Sequence, residues 1–123
     1  WPAKLPKGIV RDQAVTIMDW LPSLVEWCSA DMPAAKLDGR SLQSIIDSAE
    51  APSAHPVLYF QWQNHWAVRE GNWKLIQQEK NATLRNLADE KPEVKDYSGE
   101  KPDIARALRE RYDAWAEDVF AKK

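Results

Sequence analysis

Residues 57–76 read Val57-Leu58-Tyr59-Phe60-Gln61-Trp62-Gln63-Asn64-His65-Trp66-Ala67-Val68-Arg69-Glu70-Gly71-Asn72-Trp73-Lys74-Leu75-Ile76. The first six alternate, with Leu58, Phe60 and Trp62 pointing one way and Val57, Tyr59 and Gln61 the other. A period of two marks a strand. Trp66–Arg69 and Trp73–Ile76 are two further strands. Gly71-Asn72 between them is a two-residue hairpin turn in which glycine takes the positive φ such turns need. Gln63-Asn64 is a second tight turn, and Thr83–Leu87 supplies a fourth strand. The expectation is an antiparallel meander of about four strands, each pairing with the next.

Downstream, residues 88–102 are charged and proline-containing, and read as loop. Ile104, Leu108, Tyr112, Trp115 and Val119 then fall on one helical face, behind Pro102 and Asp103 at the helix start. Lys122 and Lys123 at the end suit the helix dipole. Arg106–Glu110 and Arg109–Asp113 form i,i+4 pairs. A sheet with one apolar face and a helix with one apolar stripe bury each other, so the fold class is α+β: a small antiparallel sheet packed on a long C-terminal helix, preceded by a helical segment.

Upstream, Glu50–Pro56 is a turn-rich linker that divides the chain into a loop and helical segment, 1–50, and a sheet-plus-helix subdomain, 51–123. Residues 1–8 read as loop and 9–15 as a short strand. Leu21, Leu24, Val25 and Cys28 predict a helix ending near residue 29 with that stripe inward. Two starts compete: a Thr16/Asp19 capping box, or Asp19 as N-cap with Pro22 in the first turn. The second is preferred for the regular helix because the first sets Pro22 too deep. A second short helix spans Ser41–Ser48, with Leu42, Ile45 and Ile46 on one side.

The 123 residues suffice for one domain, and the opening Trp1-Pro2 suggests a segment or processed product. Seventeen basic against nineteen acidic side chains, a net charge of −2, argue against nucleic acid or an acidic membrane as partner. No apolar run approaches the roughly 20 residues that cross a bilayer, and no basic-then-apolar leader opens the chain. One cysteine excludes an internal disulfide and a multi-cysteine zinc site. Seven Trp are the compositional anomaly, and they point to a core or an interface.

No constellation for catalysis emerges. Cys28 on the helix stripe reads as an inert core thiol. His55 in the linker reads as exposed. Residues 89–100 lack the alternating ligands of a calcium loop, and no phosphate loop, nucleophile elbow or HExxH occurs. Asn81-Ala82-Thr83 matches the glycosylation triplet and carries no weight. The chain therefore offers no catalytic or metal-binding residues of its own. His65 stands at a strand–strand turn between Trp62 and Trp66, so Trp62, Gln63, Asn64, His65 and Trp66 form the candidate contact with a ligand.

The order of these pieces resembles the C-terminal region of the sulfatases, of the alkaline phosphatase superfamily. The matching stretches are Trp1-Pro2-Ala3-Lys4, Asp12-Gln13-Ala14-Val15 with Asp19-Trp20-Leu21-Pro22-Ser23-Leu24, and Leu37-Asp38-Gly39-Arg40-Ser41-Leu42. They continue through Trp66–Ile76 to Leu84-Arg85-Asn86-Leu87 and the acidic loop 89–93. Ala3, Arg85 and Pro92 depart from the family pattern. The resemblance implies a parent sulfuric ester hydrolase with formylglycine and calcium. Neither is carried by this segment, since Cys28-Ser29-Ala30-Asp31-Met32 lacks the family's Pro and Arg. It also implies an N-terminal catalytic domain on the same polypeptide, a sulfated small molecule or glycan as substrate, and a periplasmic or extracellular location. The segment alone is expected to be inactive. A carbohydrate-binding or structural interaction module with no catalytic role is the alternative.

Overall fold

The computed structural model describes residues 1–121, so Lys122 and Lys123, expected to complement the helix dipole, lie outside the described residues. The chain forms two compact units, Trp1–His55 and Pro56–Lys123.

In the second unit, β1 (Val57–Trp62), β2 (His65–Glu70), β3 (Trp73–Gln78) and β4 (Asn81–Asn86) form an antiparallel sheet in the order β1-β2-β3-β4. The predicted meander and its pairing are observed, with β2 and β3 longer than the apolar runs and β4 shifted to begin at Asn81 and end before Leu87. Gln63-Asn64, Gly71-Asn72 and the pair Glu79-Lys80 link them as two-residue turns. The first residue of each turn is left-handed, with φ of 52° at Gln63, 56° at Gly71 and 51° at Glu79. One device secures all three. The side chain two positions earlier donates to that residue's carbonyl: Gln61 to Gln63, Arg69 to Gly71 at 3.0 Å, and Gln77 to Glu79 at 2.9 Å.

The C-terminal helix, here α3 (Pro102–Phe120), covers one sheet face. The core joins Trp66, Val68, Leu75 and Leu84 of the sheet to Leu108 and Tyr112 of α3, with Tyr59, Trp73, Tyr97, Ile104 and Trp115 packed around it. Each fully buried aliphatic side chain here contributes about 1.5–3 kcal/mol. The rings stack: Trp66 lies 3.9 Å from Tyr112, and Tyr59 lies 4.9 Å from Trp115. Burial fades at the helix end, where Val119 is 45 % exposed, so the stripe works only as far as Trp115. Arg106 pairs with Asp103 one turn back, and Arg109 crosses to Gln77 while lying over Trp66. Loop 88–101 is tied to β4, for Asp96 accepts from Leu84 N–H at 3.0 Å and Tyr97 N–H donates to Leu84 C=O at 2.8 Å. Burial opposes ionisation of Asp96, but the N–H groups of Ser98 and Leu84 outweigh it and hold its carboxyl below the usual range.

The first unit holds a 3-10 turn (Ile17–Asp19), α1 (Trp20–Trp27) and α2 (Gln43–Asp47). Both expected helix starts occur, in succession. Thr16 and Asp19 close a capping box around the 3-10 turn, and the regular helix begins at Trp20 with Asp19 in the N-cap position. Residues 9–15 are not a strand. The polar side chains that interrupt the apolar pattern bind backbone instead, Arg11 to the carbonyls of Ile45 and Ile46, and Gln13 to those of Ala49 and Ala51. The buried side of α1 also differs from expectation. Pro22, Ser23 and Trp27 face inward, whereas Leu21, Leu24 and Cys28 are exposed. Ser23 explains the rotation: its hydroxyl donates to Asp19 C=O at 2.6 Å and accepts Leu42 N–H at 2.9 Å, fixing the polar side of the helix onto the 39–42 segment. Trp27 meets Trp1 and Trp20 edge-on and donates to Gln43.

Candidate ligand-contact site

The pleat sends alternate side chains of β1 and β2 to opposite faces. Phe60 and Trp62 of β1, His65 and Ala67 of β2, and Ile76 and Gln78 of β3 share the face turned away from α3, where they line a hollow of about 220 Å³. Trp62 is 72 % exposed and Phe60 48 %. Both rings are thus available to a ligand surface. His65, directly opposite Trp62 in the register, is half-buried, and its Nδ1 is buried with no hydrogen-bond partner among the described residues. Because that nitrogen is closed to solvent, the surfaces open to a ligand are the rings of Phe60 and Trp62.

The five candidate residues are therefore not equivalent. Trp62 and His65 meet in the hollow. Gln63 and Asn64 are exposed in the adjoining turn and do not line it. Trp66 borders it, but its ring belongs to the other face, stacked on Tyr112 under Arg109. Phe60, Gln61, Ala67, Ile76, Gln77 and Gln78 complete the lining and are not among the candidates. The alternation in β1 placed Phe60 beside Trp62, but Ile76 and Gln78 join only through the β2–β3 register.

The other histidine is placed against expectation. His55 is not an exposed linker residue: its side chain is 11 % exposed, and Nε2 lies 2.6 Å from Asp19 Oδ1. Asp19, fully buried, also accepts the N–H groups of Thr16 at 2.8 Å and Arg40 at 2.9 Å. Burial pushes its carboxyl up, but these donors outweigh it and the pKa lies below the usual value. The signal that could have found the partner was the acid itself, whose capping-box position buries a charge in need of donors. Cys28 is corrected likewise, from core thiol to exposed thiol at the end of α1.

Among the described residues, no three His, Cys, Asp or Glu side chains converge to hold a metal, and no helix is long and apolar enough to cross a membrane. With neither a metal donor set nor a Cys-x-Pro-x-Arg sequence, the residues of this chain do not fit calcium or formylglycine, and no step is derived through either.

No protein-family model matches the chain. Arylsulfatase D of Homo sapiens is 37 % identical over 60 residues, which cover 48 % of this chain and 10 % of that protein. The uncharacterized sulfatase PB10D8.02c of Schizosaccharomyces pombe is 28 % identical over 124 residues, covering 89 % of this chain and 22 % of that protein. The chain thus spans less than a quarter of the length of these curated relatives. Among solved structures, the crystal structure of Ps i-CgsB shares the fold at a TM-score of 0.80 and 20 % identity, over 94 % of this chain and 27 % of that one. By sequence and motif order, the chain resembles the C-terminal region of a sulfatase.

Proposed function

We propose that the chain is the C-terminal subdomain of a sulfuric ester hydrolase, inactive alone, which supports a catalytic domain on the same polypeptide. One observation carries this reading. The first unit exposes Val10 at 80 %, Ile17 at 83 % and Met18 at 51 %, together with Trp20, Leu21 and Leu24 of α1. Apolar exposure on this scale suits a surface made to be covered by another domain. Formylglycine and calcium, which would supply the nucleophile and the counter-charge for sulfate, belong in this reading to the catalytic domain. The substrate is a sulfated small molecule or glycan, and the protein is exported to the periplasm or beyond the cell. The hollow at Trp62 and His65 contacts the organic part of the substrate.

Ile17→Asp and Leu24→Asp in the full-length gene product test the supporting role. Each is expected to lower the soluble yield and thermal midpoint, since a carboxylate would be forced into an apolar interface. Yield and midpoint equal to the parent's would overturn it. The high exposure of Trp62 favours a second reading, a carbohydrate-binding module without a catalytic role. Hydrolysis of a small aryl sulfate by the full-length product separates the two.

A further inference from the structure

We propose that the sheet face turned away from α3 binds a sulfated glycan chain, with a cationic row for the sulfate groups and an aromatic row for the sugar rings. This deepens the sulfatase reading and rests on it for the choice of a sulfated ligand.

The register builds the surface. Arg69, Lys74 and Arg85 stand directly opposite one another across β2, β3 and β4. Like charges in direct opposition destabilise a sheet, so a row of three needs counter-charge. Two anions supply part of it: Glu93 pairs with Lys74, and Asp96 acts electrostatically on Arg85, which also donates to Val94 C=O at 2.7 Å. Arg69 donates through Nε to Gly71 C=O and has no carboxylate partner among the described residues. The row keeps positive charge, and Arg69 keeps its two terminal nitrogens for an oxyanion.

Two residues along the strands, the same face becomes apolar at Phe60, Ala67 and Ile76. Two further on, it presents the exposed indole of Trp62, the His65 ring and the Gln78 amide. Arg69 and His65 are four residues apart on β2, about 13 Å of strand, which is enough for a short run of linked sugar rings. The chemistry follows in the same order. Sulfate oxygens meet the cations, the apolar C–H faces of the rings meet Phe60 and Trp62, and a ring hydroxyl meets the exposed amide of Gln78. Nucleic acid would share the cations, and the duplex probe below separates the two polyanions.

The test uses the full-length gene product with chondroitin sulfate, unsulfated chondroitin and a short duplex DNA as immobilised probes. Binding to the sulfated chain is expected to weaken with added salt and to exceed binding to the other two. Trp62→Ala and Arg69→Gln should each lower affinity about fivefold, whereas Lys101→Gln, at the start of α3, should leave it unchanged. Thermal midpoints check that each variant folds. If Arg69→Gln does not, Trp62→Ala and the salt dependence still decide the matter. No binding to chondroitin sulfate, equal binding to the unsulfated chain or to DNA, or parental affinity in both variants overturns the proposal. Hydrolysis of p-nitrocatechol sulfate by the parent protein is read separately. Hydrolysis without polymer binding overturns this surface alone. Variant-sensitive polymer binding without hydrolysis supports the surface and overturns the sulfatase reading.

Discussion

Asp19 Oδ1 lies 2.6 Å from His55 Nε2 across 36 residues of sequence, and this contact closes the first unit. The same carboxylate holds the N–H groups of Thr16 and Arg40, so one buried acid joins the entry to α1, the 39–42 segment and the linker before β1.

This arrangement makes the unit sensitive to acid. The Asp19 carboxyl lies below its ordinary 3.8 when folded, despite the burial that opposes ionisation, because its hydrogen bonds favour the anion. A group whose folded pKa is depressed binds protons more weakly in the native state. Its stabilisation is therefore fully present above the unfolded value and lost as pH falls through the folded one. Amide-exchange protection across residues 16–19 and 39–42 should fall below about pH 4, and Asp19→Asn should flatten that dependence. His55→Ala, which removes one donor from a buried anion, should cost about 1–3 kcal/mol at neutral pH. Unchanged protection in His55→Ala would show that the contact contributes nothing.

Gly39 is required by a close approach. A Cβ built there would sit 1.9 Å from the Met18 carbonyl oxygen and 2.4 Å from its carbon, both backbone atoms that cannot swing aside. Gly39→Ala must push the 39–42 segment away from the acid that holds Arg40 N–H. A loss at the upper end of about 1–3 kcal/mol is expected, with a lower thermal midpoint and lower soluble yield. Gly99→Ala is the control, for a Cβ there meets nothing within 4 Å.

These two cases show what sequence could and could not convey. Alternation in Val57–Trp62, the Gly71 turn and the spacing of Ile104, Leu108 and Tyr112 are local periodicities, and they made the sheet, its order and α3 legible. The inward side of α1 was not legible, because it is set by Ser23 and Asp19, polar residues whose partners lie at Arg40, Leu42 and His55. Hydrophobic periodicity cannot see a helix anchored through hydrogen bonds. The ligand hollow fell between these extremes. Trp62 and His65 were visible as neighbours of a turn, but Ile76 and Gln78 enter through cross-strand register.

The helix stripe should divide energetically where its burial does. Leu108 is 1 % exposed inside the core, and Val119 is 45 % exposed. Leu108→Ala should cost about 2–5 kcal/mol through lost transfer energy and the cavity left behind. Val119→Ala should stay within about 0.5 kcal/mol. Denaturant midpoints of the two variants give the comparison, and equal losses would contradict the placement of α3.

The three hairpin turns make a final comparison, since they share a backbone shape but not a residue type. Gln63 and Glu79 carry side chains at φ values of 52° and 51°, where Gly71 sits at 56° without one. A left-handed non-glycine residue bears roughly 1–2 kcal/mol of strain, which glycine avoids at some entropic cost in the unfolded chain. Gln63→Gly should therefore stabilise the sheet modestly, by about 0.5–1 kcal/mol, because its carbonyl still accepts from Gln61. Gly71→Ala should do the reverse by about 1 kcal/mol, although a Cβ there meets no atom within 4 Å. The loss would arise from backbone conformation alone, with no steric clash. Thermal midpoints moving in opposite directions are the expected result, and a Gly71→Ala variant as stable as the parent would refute the left-handed geometry of that turn.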